Sequence, residues 1–143
     1  MPNFELIEHT ADIGVKAFGK TIEELFENVA IGMYNIICEN FSSVRNSLKY
    51  ENEFLEPDLE TLLVSFLNDL LFQTFINRKL FYKFEIKINQ AENNFYKIFF
   101  ICYGENYDEK IHGHIFEIKS ATFHDLKIKK TSEGFECVVI FDV

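Results

Sequence analysis

Few residues in this sequence interrupt regular structure or form cross-links. The 143 residues include only 6 Gly, 2 Pro and 3 Cys, and there is no Trp. Because no Gly-, Pro- or Ser-rich stretch is long enough to act as a linker, we expect one domain spanning residues 1–143. The scattered Cys38, Cys102 and Cys137 lack Cys-x-x-Cys spacing, which argues against a disulfide framework or a structural zinc site and fits a reducing compartment.

Basic side chains are also scarce, since the 14 Lys and Arg residues are outnumbered by 23 Asp and Glu residues. The formal net charge is -9. Non-specific affinity for nucleic acid comes from cationic side chains that neutralise phosphates, so we expect any contact with RNA to be indirect, through a partner. The sequence shows no signal peptide, and no run approaches the roughly 20 apolar residues that span a bilayer. These features predict a cytoplasmic protein without a membrane partner.

Two segments carry apolar residues at three- and four-residue spacing, which predicts amphipathic helices. The first begins at the capping-box pattern of Thr21 and Glu24, and the second follows Pro57 and Asp58. The polar faces are predicted to carry Glu23, Glu27 and Asn28 in the first helix and Glu60, Asn68 and Asp69 in the second. The apolar positions are Ile22, Leu25, Phe26, Val29, Ala30, Met33, Ile36 and Ile37, then Leu59, Leu62, Leu63, Phe66, Leu67, Leu70 and Leu71.

Elsewhere apolar and polar residues alternate, most clearly over residues 80–88, which predicts strands with one buried face. Two amphipathic helices need an apolar surface to cover, and a mainly antiparallel sheet with one apolar face provides it. The expected fold class is therefore α+β, with two amphipathic helices packed on a mainly antiparallel sheet as a two-layer sandwich. The other predicted strands cover residues 4–8, 14–18, 44–54, 95–103, 114–119, 125–129 and 135–142.

Acidic groups occur near both ends of the chain. Asp12 lies in a turn-like segment between two predicted strands, and Asp142 and the α-carboxylate of Val143 follow an apolar strand. If the first and last strands are neighbours, these groups converge into an all-oxygen cluster that Ca²⁺ or Mg²⁺ would stabilise. The alternative is that Asp12 closes a turn through its own backbone and that Asp142 is simply solvated.

The remaining polar candidates have simple structural explanations. His112 and His114 form a His-x-His pair that would share one strand face, but a solvated loop is the favoured interpretation. Lys119 could reach a phosphate or an acid of a partner, or could be an ordinary solvated lysine. His9 and His124 adjoin turns and have no Ser or Cys nearby in a nucleophile setting, so we assign no catalytic residue.

Five separated segments resemble the archease family, in order and over essentially the whole chain. They are the motif Glu8-His9-Thr10-Ala11-Asp12-Ile13-Gly14 and residues 19–28, 62–71, 117–124 and 138–143. The resemblance implies an accessory protein, not an enzyme, that activates an RtcB-type RNA ligase joining RNA 3′-phosphate and 5′-hydroxyl ends in tRNA splicing and RNA repair. It also implies that the protein promotes guanylylation of the active-site histidine of the ligase and multiple turnover.

The same resemblance implies a metal site at Asp12, Asp142 and Val143. Ca²⁺ is the expected cation, with Mg²⁺ or Mn²⁺ as alternatives, and His9 is a supporting candidate. Lys119 corresponds to a functionally important lysine of the family, for contact with the partner or a phosphate.

Two other classes of function stay open from the sequence. A chaperone-like module that binds proteins would not need Asp12 or a metal. A metal-dependent hydrolase would use the same carboxylates to activate water, but the sequence offers no recognisable general base. The chain also departs from the family at Ser65 and Phe66, often Asp and Trp, and at Ser120, frequently Ala, which affects the expected partner surface.

Overall fold

The structure is a computed structural model that describes residues 4–9 and 12–143, apart from the side chain of His9. Strands and helices mix along the chain, and one strand separates the two long helices. The helices are α1 (Ile22–Ile37), α2 (Leu59–Phe75) and α3 (Glu109–His112). The strands are β1 (Phe4–His9), β2 (Asp12–Gly19), β3 (Leu48–Glu56), β4 (Lys79–Gln90), β5 (Tyr96–Asn106), β6 (Ser120–Ala121), β7 (Lys129–Thr131) and β8 (Gly134–Asp142).

The described strands pair only in antiparallel fashion, and they form two sheets where the sequence analysis expected one. The first sheet has the order β1-β2-β8-β6, with β7 also paired to β8. The second sheet has the order β3-β5-β4. The predicted α+β class with helices on antiparallel β-structure is therefore confirmed, and the division into two sheets is new.

Both long helices begin where their capping residues predicted. The Thr21 hydroxyl accepts a hydrogen bond from the Glu24 N–H at 3.1 Å, and Asp58 accepts one from the Thr61 N–H at 2.7 Å. The Glu24 carboxylate accepts from the Lys20 N–H rather than from Thr21. In the described part of the chain, neither these helices nor α3 is long and apolar enough to cross a membrane.

One residue of α1 departs from the predicted polar face. Asn28 is only 6% exposed, and its side-chain amide donates a hydrogen bond to the Phe18 carbonyl of β2 at 2.6 Å. Buried polar groups in proteins are generally hydrogen-bonded. This bond connects α1 to the first sheet. The helix period alone does not reveal this bond, because the partner lies in another element.

Aromatic rings fill the space between the helices and the sheets. Phe66 of α2 is fully buried, and its ring lies edge-on to Phe100 of β5 with the centroids 4.8 Å apart. Phe66 also lies beside Phe26 of α1 and Phe84 of β4, at 6.0 and 6.4 Å. Edge-on aromatic pairs add to the stabilisation that burial provides, so Phe66 links α2 to α1, β4 and β5.

Three strand predictions were wrong in part. Strand β3 begins at Leu48, not at residue 44, and the Arg45 N–H bonds to the side chain of Glu105 instead of to a strand backbone. Residues 114–119 form a loop with a single bridge between Cys38 and Ile115, because their N–H groups bond to other elements such as Ile37 of α1. Most of segment 125–129 is also not a strand, since the chain reaches β8 only at β7.

Candidate functional site: an acidic tip at one end of the first sheet

Strand β8 lies between β2 and β6, which brings the start of β2 next to the end of β8. Ile13 pairs with Phe141, and Ser120 pairs with Asp142. Continuing the antiparallel register of β2 and β8 by one residue places Asp12, the first residue of β2, opposite Asp142. Asp12, Asp142 and Ser120 therefore occupy one row across three neighbouring strands.

The two acids in this row, which we call the acidic tip, face the same side of the sheet. Residues directly opposite each other in an antiparallel pair have their Cβ atoms roughly 5 Å apart. Asp12 is half-buried and Asp142 is exposed, and neither side chain has a hydrogen-bond or ion-pair partner among the described residues. Two carboxylates at this spacing repel each other, so the acidic tip suits a cationic ligand.

The chemistry of the acidic tip fits a hard divalent cation, because its donors are oxygen atoms. In the ranges that the structure describes, no three or more His, Cys, Asp or Glu side chains are grouped to hold a metal. Two carboxylates are thus the side-chain donors at hand, and further ligands would have to be main-chain groups, such as the Val143 carboxylate, or water. Val143 directly follows β8, and its side chain packs against the core.

His9, the supporting candidate, pairs with Asp12 through the backbone of the β1-β2 hairpin. Its side chain lies outside the described part of the structure, as do Thr10 and Ala11. The prediction of a supporting role for His9 therefore stays a prediction.

Lys119 lies beside the acidic tip, immediately before β6. Its backbone N–H donates a hydrogen bond to the Asp142 carbonyl at 2.8 Å, which fixes the backbone of Lys119 to the end of β8. The side chain is exposed, and it has no acidic partner in the described part of the chain. It lines a cleft of about 310 Å³ whose wall includes Phe72 and Ile76, which are 52% and 64% exposed. The backbone of Lys119 is thus fixed to the end of β8, and its unpaired side chain borders an apolar surface.

The prediction of a solvated loop was wrong for His112, which ends α3 and is fully buried. Its Nδ1 accepts a hydrogen bond from the Asp108 N–H at 2.9 Å, which requires the ring proton on Nε2. That nitrogen donates to the Glu105 carboxylate at 2.8 Å, and Glu105 also accepts from the Arg45 N–H. His112 therefore joins α3, β5 and the loop before β3, which is a structural role.

The other two histidines lie at the surface. The side chain of His114 is 91% exposed, with Nδ1 3.8 Å from Glu109, so it does not share a strand face with the buried His112. His124 lies in an exposed turn, where Nε2 is 3.4 Å from the carboxylate of Asp125. Neither arrangement is typical of a catalytic base.

The Glu105 bonds predict an acid-dependent contribution to stability. The hydrogen bond from His112 is the main cause that lowers the pKa of Glu105, and the bond from the Arg45 N–H also lowers it. Partial desolvation of the carboxylate acts in the opposite direction and raises the pKa. A lowered carboxyl pKa stabilises the fold above the unfolded value of about 4.3, and this contribution disappears as the pH falls through the folded value. We expect Glu105→Gln to melt below the native protein at pH 7 and the gap to close toward pH 3. A gap that stays constant in thermal melts across this range would contradict the expectation.

The comparisons with known sequences agree over nearly the whole chain. The profile of the archease protein family (MTH1598/TM1083) matches residues 4–143. A protein archease from Methanosarcina mazei is 36% identical over 140 residues, which are 98% of this chain and 95% of the relative. A protein archease from Pyrococcus abyssi is 40% identical over 134 residues, covering 94% of this chain and 93% of the relative. The chain therefore belongs to the archease family.

Solved structures support the same fold. The chain is similar to the solution structure of Methanobacterium thermoautotrophicum protein 1598, with a TM-score of 0.85 and 31% sequence identity. The match covers 100% of both chains. The crystal structure of a Thermotoga maritima archease, described as a possible chaperone, covers 96% of this chain and 94% of that one. Its TM-score is 0.57 at 24% identity, so this second likeness concerns the fold alone.

Proposed function

We propose that this archease is a non-catalytic activator of an RtcB-type RNA ligase in tRNA splicing and RNA repair. It would promote guanylylation of the active-site histidine of the ligase and so allow multiple turnover in the cytoplasm. The observation that carries the proposal is the pairing of Ile13 with Phe141, whose register continues to Asp12 and Asp142, together with the bond from the Lys119 N–H to the Asp142 carbonyl. Acids and a cation at one accessible end of a sheet suit contact with a polar partner site.

The overall charge supports contact with a protein rather than with RNA. A formal net charge of -9 repels a phosphate backbone, whereas it attracts a basic protein surface and speeds association with it. The RNA would accordingly be bound by the ligase. Lys119 would contact a phosphate or a carboxylate of the ligase site, and its ammonium group is available for this because it has no partner in the described part of the chain.

We further propose that the acidic tip holds a divalent cation, with Ca²⁺ preferred over Mg²⁺ or Mn²⁺. Asp12, Asp142 and the Val143 α-carboxylate would be the ligands, with His9 in support. When bound, such an ion neutralises the carboxylates and attracts phosphate oxygens. The two aspartates would hold the cation at the end of the sheet, and Lys119 would orient the partner.

The activator proposal is tested by measuring guanylylation and multiple-turnover RNA joining by the cognate RtcB-type ligase. The reactions contain no added protein, the native protein, Lys119→Ala, or Lys127→Ala as a matched control, since Lys127 is also an exposed lysine. We expect stimulation by the native protein and by Lys127→Ala. Losing a charge contact at an interface weakens binding by about tenfold or more. Lys119→Ala should therefore need a correspondingly higher protein concentration to reach the same stimulation. A native protein that does not stimulate the ligase would contradict the proposal.

Terminal tags test the ligand role of Val143. A tag fused after Val143 converts its α-carboxylate into a peptide bond, so we expect it to weaken Ca²⁺ binding by about tenfold or more. A tag before Met1 leaves the acidic tip unchanged and serves as the control. Isothermal titration calorimetry of both proteins with Ca²⁺ gives the comparison. Equal affinities would remove Val143 from the site.

A chaperone-like module that binds proteins is the second candidate. It is favoured by the exposed apolar side chains of Phe72 and Ile76. Such a module would suppress aggregation of an unfolded client equally well with EDTA and with Ca²⁺. The activator proposal expects ligase stimulation to depend on the acidic tip, so stimulation and aggregation assays in both buffers separate the two functions.

A further inference from the structure

The side chain of Asn68 on α2 binds the backbone of β6 with both of its polar atoms. Its Oδ1 accepts a hydrogen bond from the Ala121 N–H at 2.7 Å, and its Nδ2 donates to the Ala121 carbonyl at 3.4 Å. Strand β6 has two residues and, among the described strands, pairs only with β8. The amide of Asn68 therefore takes the place that a neighbouring strand would occupy at this edge of the sheet.

The segment that Asn68 holds is the one that carries Lys119. On its other side this segment is bonded to β8, through the Lys119 N–H to Asp142 and the Thr122 N–H to Ile140, at 2.8 and 3.0 Å. A two-residue strand has few ladder bonds of its own, so its position depends on such additional contacts. Asn68 and Lys119 also line the same cleft of about 310 Å³.

We propose that Asn68 is a positioning residue for Lys119. By fixing β6 between α2 and β8, it sets where the lysine projects relative to Asp12 and Asp142. The inference rests on the proposed function, in which Lys119 contacts the ligase. Asn68 itself touches no partner in this mechanism, and it acts through the backbone of Ala121.

Two substitutions separate the hydrogen bonds from packing. Asn68→Leu keeps a side chain of similar size and removes both bonds, whereas Asn68→Asp keeps an oxygen that accepts from the Ala121 N–H. We expect the Ala121 and Lys119 amides to exchange about five- to tenfold faster in Asn68→Leu, since a single net hydrogen bond contributes about that factor. Asn68→Asp should largely restore slow exchange. Amide exchange measured by NMR reports this without any ligase.

The link to Lys119 is tested by a double-mutant cycle in the ligase assay. We expect Asn68→Leu to lose most of the ligase stimulation that Lys119→Ala loses. The double variant should lose no more stimulation than Lys119→Ala alone, and Asn68→Asp should recover it. Residues that act as one unit show this non-additivity. Calorimetric Ca²⁺ affinity should change by less than about twofold in Asn68→Leu, because Asp12 and Asp142 are unaltered.

Each result decides a separate question. Unchanged exchange at Lys119 in Asn68→Leu would overturn the positioning role, and so would additive losses in the double variant. A native protein that does not stimulate the ligase would overturn the proposed function instead, while the exchange data would still show whether Asn68 orders the Lys119 segment. A fall in melting temperature with unchanged exchange at Lys119 and unchanged stimulation would leave Asn68 a purely structural residue and also overturn the inference.

Discussion

Replacing Asp12 with alanine should reduce ligase stimulation to the level seen without added protein, while the fold is retained. Asp12 is half-buried at the end of β2, opposite Asp142, and no hydrogen bond within the described residues depends on its carboxylate. Removing one of two facing acids relieves a like-charge repulsion of about 0.2–1 kcal/mol. In EDTA we therefore expect Asp12→Ala to melt at the same temperature as the native protein or slightly above it.

The Asp12→Ala variant should also lose the stabilisation that Ca²⁺ gives. A ligand that binds only the native state at 100 times its Kd stabilises the fold by about 2.7 kcal/mol. The native protein should therefore melt higher in Ca²⁺ than in EDTA, and Asp12→Ala should show little difference. Glu133→Ala is the matched control, since Glu133 is an exposed acid in the turn between β7 and β8, away from the acidic tip. Native-like stimulation by Asp12→Ala would refute the proposed role of the acidic tip.

Replacing Gly104 with alanine should be among the most destabilising single substitutions. Gly104 lies in the middle strand of the second sheet, between Leu48 of β3 and Phe81 of β4. An added Cβ would overlap the Leu80 carbonyl oxygen and approach the Phe81 Cα to 2.8 Å, and these are backbone atoms that cannot rotate away. The sheet would have to separate at the bulge between Phe81 and Lys83.

Overpacking of this kind costs about 3 kcal/mol, which lowers the melting temperature of a domain this size by roughly 10 °C. Thermal unfolding followed by circular dichroism measures the loss. Asn106→Ala is the control on the same strand, because Asn106 is exposed and a surface substitution changes stability by about 0.5 kcal/mol at most. A melting temperature of Gly104→Ala close to that of the control would mean that the strands are farther apart than described.

The sequence predicted the helices well because their signals are local. Thr21 and Asp58 cap α1 and α2 with their own side chains, and the apolar spacing of each helix follows from its own period. Strand β8 was likewise predicted almost to the residue. Residues 114–119 alternate in polarity like a strand, but their N–H groups bond to the end of α1 and the end of β8. Nothing in the segment itself encodes those partners.

The candidate site shows the same division between local and non-local information. The acids at residues 12 and 142 were visible in the sequence, whereas their register required knowing that β2 and β8 are neighbours. The burial of His112 was missed because its partners, Glu105 and Asp108, make the surrounding segment look hydrophilic. Asn68 was assigned to the polar face of α2, but its two bonds to Ala121 depend on the position of β6.

The position of β8 in the first sheet bears on how the protein folds during synthesis. The ribosome makes β1 and β2 first, yet β8, which pairs with β2, follows every other described element in the chain. Pairing across such a sequence separation is slow, and it leaves the edge of β2 open to wrong partners until β8 emerges. Asp142 is therefore made only after all the other described elements, so a chain that lacks β8 cannot present the acidic tip.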